Sequence, residues 1–252
     1  MQPNPLERPI EAGLLTVAEL KNIVAKLPAE ARSAIAWSVP AIEAALARLL
    51  TEPLDEQLVE ECGLEVGRAS MSLGQAFPSA GRTSELIQTS EAVFEKHRDQ
   101  LRISLAPKAA QTADWALQVL TSVLGALRRQ LPANANDAPT PALTNDDLRG
   151  PLLGPYFRLH AVLLAVLHAL EPGRRSDDTL RARAEALAEL AGQQAVALTD
   201  DAMAAGLKLE IFDAEPAHLR LRLFQDIANR LRMILSDEDR QLLANARLRD
   251  LR

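Results

Sequence analysis

The segment from Pro155 to Glu171 constrains this chain more than any other. Tyr156, Phe157, Leu159, Val162, Leu163, Leu164, Val166, Leu167 and Leu170 place apolar residues on every side of a 3.6-residue period. A helix that is apolar all round has no face to offer to water and belongs at the centre of its fold. Other helices must then surround it. The sequence supplies them. Val17, Leu20, Val24 and Leu27 share one helical face. So do Ile42, Leu46 and Leu49, then Leu58, Cys62, Val66, Ala69 and Leu73, and later Leu117, Leu120, Leu124, Leu127 and Leu131. Aromatic residues are only 3% of the 252, so the core is made mainly of Leu, Ala, Val and Ile, a mixture that favours helix over sheet.

Local signals agree. Thr16 and Glu19 have the spacing of a capping box. Pro28, Pro40 and Pro107 each open a helical segment, where a missing N–H costs little. Segments of helical period run from about 54 to 77, 83 to 105, 107 to 131, 155 to 171, 176 to 198, from Thr199 onward, 216 to 235 and 237 to 252. The expected fold is all-α, a multi-helix bundle of about ten helices around the buried helix at 155–171. Period-two alternation in Leu207–Ile211 and Leu219–Leu223 leaves a small β-hairpin within 206–224 as an alternative there. Residues 132–143 carry three prolines with Asn and Asp and read as a linker or long loop. They separate an N-terminal half, 1–131, from a C-terminal half, 144–252. The two halves are expected to pack as one domain, because the 155–171 helix is too apolar to stand without cover.

Between Leu58 and Leu73 a second stripe of Gly63, Gly67, Ser70 and Gly74 runs beside the apolar one. Glycine costs about 1 kcal/mol against alanine inside a helix, so the stripe predicts close approach of another backbone.

Four acid pairs follow a Ser or Thr: Asp146-Asp147, Asp177-Asp178, Asp200-Asp201 and Asp237-Glu238-Asp239. Carboxylates at these places cap helix N-termini and oppose the helix dipole. The competing chemistry is a metal site, since clustered carboxylate oxygens suit Mg²⁺. None of the four has the fifth-position Asp of a DDxxD motif. Ser176-Asp-Asp-Thr179 resembles the acidic tetrad of helical ADP-ribosyl hydrolases over those four residues alone, without the companion Gly-Asp-rich motif. If a ligand or metal is held, the candidates are Asp177, Asp178, Asp200 and Asp201, with Tyr156 and His160 lining a cavity. His160 and His168 are eight residues apart, too far along a helix to share one metal without further ligands. His97 falls between Phe94 and Leu101 on an apolar face and reads as a core histidine. His97-Arg98-Asp99 copies a kinase tripeptide without the loops that give it meaning. Glu215-Pro-Ala-His218 has the ExxH spacing of di-iron helices, but there is no second copy. Cys62 lies on a buried stripe. No cofactor motif is present.

The net charge is −6, which disfavours a general nucleic-acid binder. The charge is uneven. Residues 217–252 carry eight Arg, no Lys and five acids, a surplus of +3 against −9 elsewhere. Arg220, Arg222, Arg230, Arg232, Arg247 and Arg249 are the candidate partner-binding residues, for an acidic protein first and for nucleic acid second. The N-terminus has no apolar run of signal length, and the apolar stretch at 159–170 is shorter than the roughly 20 residues a bilayer needs. These features predict a cytoplasmic, bacterial-type, non-catalytic interaction or regulatory protein that binds another protein or itself, with no membrane span. The alternatives are a helical enzyme or small-ligand binder and an Arg-mediated nucleic-acid binder.

Overall fold

The capping box at the start of the first described helix is formed. The Thr16 backbone N–H donates to Glu19 Oε2 at 3.0 Å and the Glu19 N–H donates to Thr16 Oγ1 at 3.3 Å. A computed structural model describes residues 16–25, 27, 29–76, 97–130, 148–171, 174 and 177–209. Seven helices are bounded within them: α1 (Val17–Ala25), α2 (Ala29–Ala34), α3 (Ser38–Thr51), α4 (Glu56–Ala76), α5 (Pro107–Gln130), α6 (Leu153–Ala169) and α7 (Asp178–Ala204). Residues 97–104 are also helical. There is no strand among the described residues.

The central helix falls where its composition requires. Fourteen of the 17 residues of α6 are buried, and α3, α4, α5 and α7 all pack against it. Full burial of a Leu, Val or Phe side chain contributes about 1.5–3 kcal/mol, so a helix with no wet face is held by its neighbours rather than by its own propensity. Those neighbours come from both sides of residues 132–143, and every described residue belongs to the compact unit 1–212.

The glycine stripe explains how α4 reaches α6. A Cβ on Gly63 would lie 3.0 Å from both Cα and N of Arg158. One on Gly67 would lie 3.0 Å from Cγ of Phe157. At Gly63 the neighbour is backbone, which cannot swing aside as a side chain can. Ser70 is buried in the same helix; the surroundings of Gly74 lie outside the described residues.

The number of bounded helices differs from about ten for an identifiable reason. Thr199 does not begin a helix. It lies inside α7, and its hydroxyl donates to the Ala195 carbonyl at 2.8 Å, one turn back. Ser/Thr hydroxyls have this alternative to capping, and it lets α7 run unbroken for 27 residues. The helices expected at 216–235 and 237–252 lie outside the described residues, as do most of 83–105 and the hairpin alternative beyond Leu209. α7 stops at Gly206, whose φ of 77° is left-handed. The Gly206 N–H donates to the Met203 carbonyl and the Leu207 N–H to the Ala202 carbonyl, both at 2.9 Å. This is a Schellman ending.

Two helix ends are capped from far along the chain. Arg183 of α7 donates through Nε to the Leu49 carbonyl at 2.9 Å and through Nη2 to the Glu52 carbonyl. A cation on terminal carbonyls opposes the negative end of the α3 dipole. Glu185, two residues on, accepts from the Ala106 N–H at 3.1 Å, just before α5 begins at Pro107.

Candidate interaction surface

The acid pairs do not converge. Asp177 is the N-cap of α7, its carboxylate accepting from the Thr179 and Leu180 N–H groups at 2.9 and 3.3 Å. Asp178 is in the first turn. Asp200 and Asp201 sit in the last turns of the same helix, about 35 Å away at 1.5 Å per residue. Among the described residues no three His, Cys, Asp or Glu side chains gather as a metal site would need. Asp146, Asp147 and the acids at 237–239 lie outside the described residues. So do Arg220, Arg222, Arg230, Arg232, Arg247, Arg249 and His218.

Tyr156 and His160 are both wholly buried in α6. Tyr156 meets Phe157 edge to face at 5.3 Å between ring centres, and His160 lies 6.2 Å from each ring. Among the described residues neither ring nitrogen of His160 has a hydrogen-bond partner. Burial alone pushes its pKa down to about 3, so it is a neutral core side chain at any ordinary pH. His97 is also buried, with Nε2 3.5 Å from Glu19 Oε2. Burial acts to raise the Glu19 carboxyl. Hydrogen bonds from His97 and from the Thr16 backbone and hydroxyl outweigh it and bring the pKa down to about 2. Arg98 pairs with Asp114 at 2.6 Å, while Asp99 is exposed. The kinase-like tripeptide is thus divided among separate structural partners. Cys62 donates to the Ala45 carbonyl at 3.4 Å, and burial lifts its thiol to about 11, far from a thiolate nucleophile.

A half-open cleft of about 240 Å³ lies between Ile103 and Ser104 on one side and Leu170, Arg174, Asp177 and Arg181 on the other. Its polar groups are partly spent. Asp177 caps α7, and Arg181 faces Glu185 at 3.6 Å.

The feature that stands out is the outer face of α3. Its inner face is Val39, Ile42, Ala45, Leu46, Leu49 and Leu50, all buried. Its outer face is apolar too. Trp37, Pro40, Ala44 and Ala47 are all exposed, and Trp37 is half exposed to solvent. Trp37 has helical dihedrals, φ −79° and ψ −23°, and the Ala41 N–H donates to its carbonyl at 3.0 Å. The tryptophan therefore continues the line of α3. The spacing 37, 40, 44, 47 alternates three and four residues, which keeps all four on an arc of about 80°. This is the a/d spacing of a helix-pairing seam. No charged residue stands on it. The charges beside it are engaged within the chain: Glu43 with Lys21 at 2.5 Å, and Arg48 with Glu52 at 3.2 Å and Glu61 at 2.8 Å.

The stripe does not stand out in the sequence. Ile42, Leu46 and Leu49 already account for an amphipathic helix, and alanines on the other side look neutral. The available signal was hydropathy. Residues 32–51 hold only Arg32, Glu43 and Arg48 as charged residues. By length and composition this stretch is apolar enough to cross a membrane, and 44% of it is buried inside the fold.

Comparison with protein-family models, with curated proteins and with solved structures finds no significant match to this chain.

Proposed function

We propose that this chain is a non-catalytic helical protein that works in the cytoplasm by associating with another protein chain, its own kind included. The observation that supports this is the exposed apolar stripe Trp37, Pro40, Ala44 and Ala47 on α3. A helix apolar on both faces is ordinarily covered on both. A contiguous exposed apolar line is the mark of an interaction surface, unlike apolar residues scattered singly. Polar groups at the helix ends point the same way. Glu19, Asp177, Arg183 and Glu185 are each engaged in closing a helix end. The surplus of arginine in 217–252 gives such a protein a second, electrostatic means of contact with an acidic partner.

The test is affinity capture of the full chain from cells that make it, followed by reconstitution with the purified partner. The expected result is a stoichiometric complex that Ala47→Arg weakens while the fold, read by circular dichroism, is unchanged. A chain that binds neither itself nor any reconstituted protein, at concentrations up to about 1 mM in the range of weak complexes, refutes the proposal.

A further inference from the structure

We draw no further inference here: the strongest candidate, the half-open cleft where Arg174, Asp177 and Arg181 at the entry to α7 meet Ile103 and Ser104, carries nothing, because Asp177 is spent on capping α7, Arg181 faces Glu185, and none of the residues lining it is a buried polar side chain left without a partner.

Discussion

Replacing His160 with methionine tests how dry the centre of the fold is. His160 is wholly buried in α6, and neither ring nitrogen has a partner among the described residues. Its pKa falls from 6.5 to about 3 through burial alone. The folded chain therefore holds this ring neutral at pH values where the unfolded chain protonates it. Stability from this group is complete above pH 6.5. It is lost as the pH drops, because the unfolded state then binds a proton that the folded state refuses. The loss approaches about 1.4 kcal/mol per pH unit, or roughly 3 kcal/mol between pH 7.5 and 4.5. That is a large part of the 5–15 kcal/mol that holds a typical domain.

His160→Met removes the titration and keeps the volume close. Urea unfolding followed by circular dichroism at pH 7.5, 6.5, 5.5 and 4.5 gives the comparison for both chains. The difference between them cancels every other titrating group. At pH 7.5 the variant is expected to be the more stable, because it no longer buries a donor and an acceptor that nothing satisfies, each costing about 1–3 kcal/mol. Its advantage is expected to widen by about 3 kcal/mol on going to pH 4.5. If both chains lose stability in parallel across that range, His160 is hydrated or paired and the account of a dry core centre is wrong.

Glu19 acts in a lower window with the opposite chemistry. Its folded pKa of about 2 lies below the ordinary 4.5, so its stabilisation is present above pH 4.5 and disappears as the pH falls through 2; Glu19→Gln is expected to flatten the acid melting curve there. Arg183→Leu leaves the Leu49 and Glu52 carbonyls without their donor and is expected to cost about 1–3 kcal/mol in chemical denaturation, with Arg183→Lys restoring little because one ammonium cannot span both oxygens. Gly63→Ala drives a Cβ into the backbone of Arg158 and is expected to cost about 1–3 kcal/mol, measured the same way. Asp177→Ala removes a formed cap and should cost about 1 kcal/mol, whereas Asp201→Ala in the last turn of α7 should change stability by less than about 0.5 kcal/mol; equal losses at the two positions would contradict the continuous α7.

How much of this was legible depended on the range of the physics involved. The burial of α6 follows from its own residues, since no arrangement can expose nine large apolar side chains spread all round a helix. The Thr16–Glu19 box is a contact three residues long and reads directly. Thr199-Asp200-Asp201 misled because the same triplet that caps a helix can sit inside one, with the hydroxyl turned back to Ala195. Which option wins is decided by what α7 packs against, and by Gly206 supplying its ending. Arg183 on the carbonyls of Leu49 and Glu52 joins residues more than 130 positions apart, and no local pattern announces it.

The outer face of α3 was missed for a different reason. Sequence patterns report which side of a helix is apolar, and here both sides are. α6 and α3 share that property, yet α6 is covered by four helices while α3 keeps Trp37 half exposed. The difference lies in residue size. Leu, Val and Phe all round α6 need to be wrapped. Pro40, Ala44 and Ala47 expose little area each and can face water at modest cost. A stripe of small residues ended by one tryptophan is therefore stable when open and still gains when closed. That is the property a reversible contact needs, and an obligate core helix such as α6 could not have it.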